Sequence, residues 1–238
     1  MGDPTEILSS MDKMQPIVHQ TLSARVYQDL RELIMSGQLQ PGERLTVAGM
    51  AAALGTSAMP VREAISRLAA DEALEILPNK SVRIPVMKRS RFQELVVIRL
   101  VVEGLAVETA ARRITVRQLA ALATLEQDFT REISLNEPDV NQIIQINKQL
   151  HFTAYAAAGM PTLSSLIEGL WLRIGPVLNL DLRNSASRRR SDLPSVAAHR
   201  GLVTALRAGD GTAAKAALAC DIEGAAEVIL AGDGLRPG

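Results

Sequence analysis

Four polar residues in the second half of the chain have side chains that can hold a metal ion or a polar ligand. Asn147 and His151 stand four positions apart, so on a helix both project from one face. His199 and Asp221 follow further along the chain. An amide oxygen, two imidazoles and a carboxylate suit a mixed nitrogen and oxygen site for a divalent cation. The alternative is a metal-free polar pocket in which His151 and Asp221 are hydrogen-bonded.

A second candidate site consists of Arg99 and Glu103, which are also four residues apart. The planar guanidinium of Arg99 matches a ligand carboxylate, so Arg99 is a candidate effector-binding residue. The alternative is a buried ion pair between Arg99 and Glu103. Trp171 and Arg173 are candidates for the wall of the pocket, although core packing is the favoured role for Trp171.

Helices must position these side chains, because apolar residues recur at helical spacing in this half of the chain and no strand pattern competes. Thr115 and Gln118 have the spacing of a capping box. Pro138 is predicted just inside one helix start and Pro161 at another. Six helices are predicted, with starts near residues 92, 115, 138, 161, 195 and 210. Residues 88–238 therefore predict an all-α helical bundle.

The first half of the chain predicts a different module. Residues 1–20 are polar and irregular, which is typical of a flexible arm. Three helices are predicted to begin at residues 22, 47 and 57, and two β runs at 74–77 and 82–86 flank a turn. This order is typical of a winged helix-turn-helix over residues 21–87.

The third predicted helix has two chemically distinct faces. Its N-cap is Ser57, whose hydroxyl is expected to accept from a backbone amide. The inward face consists of Val61, Ala64, Ile65 and Leu68. The outward face consists of Ala58, Met59, Arg62 and Ser66. The outward face is the one that would meet base edges and phosphates in a DNA major groove.

The sequence around this helix resembles the DNA-binding domain of the GntR superfamily. The resemblance rests on the runs IMSGQLQPGERL, SAMPVREAISRL and LPNKS, and it covers about residues 20–86. It implies that Arg62 contacts DNA from the recognition helix. It also implies that Ser57, Asn79 and Lys80 hold the phosphate backbone. A surface salt bridge is the alternative role for Arg62, and a solvated turn is the alternative for Lys80.

Three positions depart from the pattern of that family. Ala58 stands where the family usually has an arginine, Ala48 where some members have one, and Ser81 replaces the usual wing glycine. An arginine that forks onto guanine contributes about 1–3 kcal/mol of discrimination between bases. We therefore expect an unusual operator, weaker binding, or compensation by Met59, Lys80 and Arg83.

The second half of the chain resembles the FCD ligand-binding domain of the FadR branch of the same superfamily, in its six-helix, VanR-like form. That domain commonly binds a divalent metal through Asp-x3-His, a second histidine and a third histidine on the last helix. The resemblance implies a metal site formed by Asn147, His151, His199 and Asp221, with Zn, Ni or Mn as the candidate ions. Asn147 replaces the usual aspartate and Asp221 the last histidine, and loss of an imidazole is expected to weaken the affinity for zinc-like ions.

Composition limits the class of protein. With 47% apolar and 3% aromatic residues among 238, the chain suits close-packed helices, and its formal net charge of zero does not indicate a nucleic-acid partner. The N-terminus lacks a signal-peptide pattern, and no apolar run approaches the ~18 residues that cross a bilayer. The single cysteine, Cys220, cannot form an intrachain disulfide. These features predict a cytoplasmic protein, and the basic run 183–190 is favoured as a solvated loop.

Together these features predict a DNA-binding transcriptional regulator, for which the family resemblance implies mainly repression. A homodimer is expected on a near-palindromic double-stranded operator, because two-fold protein symmetry matches paired half-sites. A small organic acid in the helical domain, bound on the metal, is expected to modulate operator binding. No enzymatic activity and no membrane partner are expected. The alternatives are a metal-free effector sensor, an architectural DNA binder, and a helical metalloenzyme that would leave the winged module unexplained.

Overall fold

The computed structural model describes residues 21–78, 81–178, 180 and 194–237. Within these ranges, the first part of the chain forms helices α1 (Leu22–Met35), α2 (Val47–Ala53) and α3 (Ala58–Ala70) and strands β1 (Arg44–Leu45), β2 (Glu75–Ile76) and β3 (Val82–Arg83). The strands form one antiparallel sheet in the order β1-β3-β2, in which Val82 pairs with both Leu45 and Ile76. The predicted hairpin is confirmed, and β1 adds a strand that the sequence pattern did not predict.

The described residues that follow form six helices, which pack into a bundle. They are α4 (Arg89–Ala110), α5 (Val116–Ile133), α6 (Val140–Ala156), α7 (Pro161–Leu178), α8 (Pro194–Ala208) and α9 (Gly211–Ala231). Helix α4 packs against α6, α7 and α9, while α8 packs against α5 and α9. A mainly α protein with an N-terminal winged helix-turn-helix and a C-terminal all-α bundle is therefore confirmed.

Local sequence signals start several of these helices. The capping box at residues 115–118 is present in full at the start of α5, and Pro161 is the first residue of α7. Ser57 is the N-cap residue of α3, but its exposed side chain makes no capping hydrogen bond within the described residues. Pro138 lies outside α6, whose N-cap is Asp139, because the Asp139 carboxylate accepts from two backbone amides. The predictions of a capping hydroxyl at Ser57 and of Pro138 inside a helix were wrong.

Helix α7 joins the two parts of the molecule. Helix α1 packs against α3 on one side and against α7 on the other. Gly175 of α7 lies so close to the end of α1 that a Cβ there would stand 3.0 Å from its backbone. Arg31 Nη2 lies 2.8 Å from Glu168 Oε2, and Arg173 Nε donates to the carbonyl oxygen of Asp71 at 3.0 Å. These contacts attach the winged module to a helix of the bundle.

Several predictions concern residues outside the described ranges. They are the flexible arm at 1–20, the wing-tip residues Asn79 and Lys80, and the solvated loop at 183–190. Among the helices that the structure does describe, none combines the length and the apolar character needed to cross a membrane.

Candidate metal centre and nucleic-acid interface

Three titratable side chains from separate helices meet inside the bundle. They are His151 of α6, His199 of α8 and Asp221 of α9, and one potential ligand atom of each lies within 4.8 Å of the others. His151 Nε2 lies 3.1 Å from Asp221 Oδ2, and His199 Nε2 lies 3.5 Å from Asp221 Oδ1. Both histidines are 1% exposed, and the Asp221 side chain is 12% exposed. The Asp221 carboxylate therefore lies between two buried imidazoles.

Asn147, the fourth predicted ligand, lines the same cavity as His151 and Asp221. Arg99 and Trp171 form part of the cavity wall. The cavity volume is about 40 Å³, which is room for a cation and a few further atoms. Residues that line it and retain some exposure include Pro194, Ser195 and Val228. A ligand larger than the cavity would have to place one polar group inside the cavity and its other atoms near Pro194, Ser195 and Val228.

Aromatic packing fixes the planes of the two imidazoles. The Phe129 ring meets the His199 ring edge to face, with centroids 4.6 Å apart. The His151 ring lies 5.2 Å from the His199 ring and 5.4 Å from the Trp171 ring. Side chains held by packing in this way keep their donor atoms in place without a ligand.

The electrostatics favour an ionised carboxylate at the centre of the cluster. Burial alone raises the pKa of Asp221, but His199, and then His151, lower it well below its usual value. Asp221 is therefore charged at neutral pH. An ionised carboxylate beside two imidazoles is a donor set that divalent transition metals prefer.

His199 supplies the test of whether these residues fit a metal. Neither of its ring nitrogens has a hydrogen-bond partner among the residues that the structure describes. The 3.5 Å approach of Nε2 to Asp221 is within range of an ion pair but is not a hydrogen bond. Leaving a buried polar group unsatisfied costs about 1–3 kcal/mol. A cation bound between the imidazoles and the carboxylate would use the unpartnered nitrogen, so the residues present fit a metal ion.

Next to the cluster, the Glu103 carboxylate accepts hydrogen bonds from three side chains. Arg99 donates from Nε at 2.6 Å and from Nη2 at 3.1 Å, Trp171 donates from Nε1 at 3.1 Å, and the Tyr155 hydroxyl donates to Oε2. The Tyr155 oxygen also lies 3.0 Å from His151 Nδ1. Burial, and then Glu103, raise the pKa of Tyr155 well above its usual value. Glu103 of α4 is therefore hydrogen-bonded to α6 and α7, and through Tyr155 it is linked to the candidate metal ligand His151.

The predicted roles around this cavity have different outcomes. Arg99 forms the buried ion pair with Glu103, the alternative given for it above, and it also borders the cavity. Trp171 is 3% exposed and packs in the core, as favoured, although its ring reaches the cavity. Arg173 instead reaches the carbonyl oxygen of Asp71 in the winged module. Sequence reasoning missed Tyr155, although its position four residues after His151 was a usable signal.

The outward face of α3 is exposed as the sequence predicts. Ser57, Met59 and Arg62 are exposed, and Met59 is 72% exposed. Arg62 and Ser66 line a groove between α2, α3 and the strands of the wing. The inward residues Val61, Ala64, Ile65 and Leu68 are all buried in the core. A helix anchored by one face and exposed on the other is suited to entering a DNA groove.

Comparison with known protein families gives two matches that together span most of the chain. Residues 22–84 match the family described as bacterial regulatory proteins, gntR family. Residues 94–224 match the FCD domain. The first match covers the winged helix-turn-helix, and the second covers the helices that carry the His151, His199 and Asp221 cluster.

Individual relatives are transcriptional regulators. The chain is 34% identical over 161 residues to the HTH-type transcriptional regulator McbR of Escherichia coli K12, covering 68% of this chain and 72% of that protein. The solved structure of E. coli McbR/YncC superposes with a TM-score of 0.78 at 30% identity, over 85% of this chain and 94% of that one. A probable D-xylose utilization operon transcriptional repressor of Paenarthrobacter nicotinovorans is 28% identical over 83% of this chain and 84% of its own length.

Proposed function

The chain belongs to the GntR family of bacterial regulatory proteins and carries an FCD domain, and from this premise we propose a metabolite-responsive repressor. In this proposal a small organic acid, bound through its carboxylate to a divalent metal in the bundle, sets the affinity for the operator. The His151, His199 and Asp221 cluster is the observation that carries the proposal. A probable repressor among the relatives supports the direction of the regulation.

The DNA contacts are assigned to the outward face of α3 and to the wing. Arg62 is the recognition residue, Met59 adds apolar contact, and Ser57 with Asn79 and Lys80 holds phosphates. An exposed arginine on a recognition helix can fork onto a guanine base, which is the commonest specific contact in the major groove. The exposure of Ser57, Met59 and Arg62 supports this assignment.

The metal would be held by His151, His199 and Asp221, with Asn147 as a fourth oxygen donor. Zn, Ni and Mn are the candidate ions, since two imidazoles and a carboxylate suit all three. When bound, the metal supplies a positive charge that can hold a carboxylate of the effector. The unpartnered nitrogens of His199 among the described residues and the lowered pKa of Asp221 both support a cation at this place.

An effector at this site can influence DNA binding through α7. Trp171 of α7 lines the cavity, and Glu168 and Gly175 of the same helix contact α1 of the winged module. A ligand shifts an equilibrium only by its difference in affinity for the two states. The acid must therefore bind more tightly to the conformation in which the two winged modules do not match the operator.

The proposed repressor is a homodimer that pairs through α4. This helix exposes apolar side chains on one side and buries the charged Arg99 and Glu103 on another, the reverse of what is expected of a helix on the surface of a monomer. Val97, Val101 and Leu105 form the exposed stripe, at 61%, 64% and 45% exposure. Their spacing of four residues places them on one face, where a second copy of the stripe can cover them about a two-fold axis. This pairing would give the symmetry that paired half-sites require.

A metal-free sensor is the second candidate. The 3.1 Å distance between His151 Nε2 and Asp221 Oδ2 favours it, because this pair can form a hydrogen bond without a metal. In that case the cavity would hold the effector through Arg99 and the cluster directly.

Elemental analysis tests the choice between them. The protein, purified without chelator or metal-affinity tag, is analysed for metal and titrated with a panel of small mono-, di- and tricarboxylic acids. The expected result is a single metal ion per chain and acid binding that is lost in both His151→Ala and His199→Ala. The matched control is His19→Ala, which removes the one remaining histidine of the chain. This variant should retain both the metal ion and acid binding.

DNA binding completes the experiment. The probe is a duplex selected by the wild-type protein from a random-sequence pool, and its affinity is measured with and without the bound acid. Weaker DNA binding in the presence of acid supports the repressor. Absence of metal, with none taken up on titration, would rule out the metal-anchored mechanism in favour of the metal-free sensor.

A further inference from the structure

We propose that Glu103, acting through Tyr155, is a positioning residue that fixes His151 in the tautomer whose Nε2 is free to bind a cation. The identification of that cation as a metal ion rests on the function proposed above. The tautomer, in contrast, is a property of the metal-free protein. The two can therefore be tested separately.

The Glu103 carboxylate acts only as a hydrogen-bond acceptor. This side chain is fully buried and accepts from Arg99 twice and from Trp171 once. The buried Arg99 guanidinium balances the charge of the ionised carboxylate. An ionised carboxylate is an acceptor only, so every group that contacts it must donate.

The hydroxyl of Tyr155 has one hydrogen and two neighbours. One neighbour is Glu103 Oε2, which can only accept, and the other is His151 Nδ1 at 3.0 Å. The hydroxyl hydrogen therefore goes to Glu103. The contact between the Tyr155 oxygen and His151 Nδ1 then needs a hydrogen from the histidine. Nδ1 of His151 therefore donates to the Tyr155 oxygen.

With the hydrogen on Nδ1, a neutral His151 presents the lone pair of Nε2 to its other side. That nitrogen faces Asp221 Oδ2 across 3.1 Å, so either a second proton on His151 or a bound cation must lie between the two groups. A histidine whose far nitrogen donates into a carboxylate network is the usual arrangement of a metal ligand. The four-group chain Arg99, Glu103, Tyr155 and His151 thus prepares one ligand of the site.

His199 lacks this support among the described residues, since neither of its nitrogens is hydrogen-bonded there. The two imidazoles are therefore not equivalent. His151 is held in one tautomer before a cation arrives, and His199 takes its orientation from ring packing against Phe129.

Nitrogen NMR of histidine-labelled, metal-free protein, recorded in a pH series that reaches the neutral form of His151, tests the proposal, because a neutral imidazole carries hydrogen on only one nitrogen. The chain has three histidines, so the spectrum can be assigned with one variant for each. In the wild type His151 is expected to carry hydrogen on Nδ1. In Tyr155→Phe this preference should be lost, and Nε2–H, which can donate to Asp221, should become populated.

Two further variants separate positioning from general structural damage. Glu103→Gln places an amide donor against the Tyr155 oxygen, so the hydroxyl can turn to His151 and the tautomer should invert to Nε2–H. Tyr27→Phe is the matched control, because it removes the only other tyrosine of the chain, whose hydroxyl also donates to a carboxylate, Asp71, at 2.8 Å. This control should leave the His151 signals unchanged.

Titration with Zn²⁺ supplies the second readout. Tyr155→Phe should weaken Zn²⁺ binding by about 10–100-fold, the usual loss when a partner of a metal-bound histidine is removed. A neutral wild-type His151 whose single ring hydrogen is on Nε2 would overturn the proposal, and so would a Tyr155→Phe spectrum identical to that of the wild type. If the tautomers behave as expected but the wild type binds no metal, the positioning role stands and the metal-anchored function fails.

Discussion

Asn147 and Asp221 both differ from the residue types of the FCD pattern described above. Where that pattern has an aspartate before the first histidine and a histidine on the last helix, this chain has an amide and a carboxylate. Asp221 lies between both imidazoles and has a lowered pKa, so the one formal anion of the cluster now sits on α9. Asn147 offers a neutral oxygen from the wall of the same cavity.

Substitutions at Asn147 show whether that oxygen binds the metal. Asn147→Asp adds an anionic oxygen and should raise Zn²⁺ affinity by about tenfold or more, equivalent to about 1.4 kcal/mol. Asn147→Ala should lower the affinity. Gln145→Ala is the control, because Gln145 is an exposed amide on the same helix. Equal affinities for all three variants, measured by competition with a chromophoric chelator, would remove Asn147 from the ligand set.

The recognition helix α3 is the element in which sequence pattern and exposure agree most closely. Its four inward residues are buried, and its outward residues Met59, Arg62 and Ser66 are exposed. Arg67, on the same helix, stacks its guanidinium 4.0 Å above the ring of Tyr27 in α1. Two arginines of one helix therefore have different surroundings.

This difference gives a charge-matched test of DNA recognition. Arg62→Ala should weaken binding to the selected duplex by about 1–3 kcal/mol and relax its base preference at one position. Arg67→Ala removes the same charge from the side that faces α1. It should mainly lower the free energy of unfolding, by about 0.5–1 kcal/mol. Binding isotherms at fixed salt measure both effects. Equal losses of DNA affinity would mean that Arg62 acts only through its charge.

Helix α4 has the opposite character, because its stripe of Val97, Val101 and Leu105 is exposed while the charged Arg99 and Glu103 are buried. Val101→Glu places a charge in the middle of that stripe, and burying it between two copies is strongly unfavourable. Sedimentation should then show a monomer, whereas we expect the wild type to be a dimer. Val116→Glu is the control, since Val116 is 87% exposed at the start of α5. A dimer that survives Val101→Glu would place the interface elsewhere.

For the molecule as a whole, the contact between α1 and α7 determines how the winged module sits on the bundle. Helix α7 carries two glycines with different surroundings. A Cβ at Gly175 would stand 3.0 Å from the Ile34 carbonyl oxygen and 3.0 Å from Met35 Cα. A Cβ at Gly169 would have no atom of the described residues within 4 Å.

The same substitution at the two glycines should therefore have opposite effects on unfolding. Gly169→Ala removes a flexible residue from a helix and should stabilise by about 0.5–1 kcal/mol. Gly175→Ala should destabilise by about 1–3 kcal/mol, because the backbone of α1 must move. Thermal unfolding measures both, at about 2–4 °C per kcal/mol for a chain of this size. A rise in Tm for Gly175→Ala would mean that α1 shifts freely on α7.

The sequence by itself determined where helices form and where most of them start, because these features depend on residues within one turn of each other. The capping box at 115–118 and the buried face of α3 are examples. It also supplied the family resemblance and, through it, the four candidate ligands. It did not predict β1, because two residues are too few to show a strand period. Nor did it identify the exposed side of α4, because apolar residues lie on both the buried and the exposed side of that helix and leave no amphipathic pattern.

Only the tertiary structure decided which polar atoms meet. Glu103 and Tyr155 are 52 positions apart, and Trp171 reaches the same carboxylate from 68 positions away. No local pattern encodes such separations, because they follow from how α4, α6 and α7 pack. The packing also committed Arg99 to Glu103 and placed Asp221 between His151 and His199. Hydrogen bonds require partners within about 3 Å, so the sequence names the candidate groups and the packing of distant helices selects the pairs.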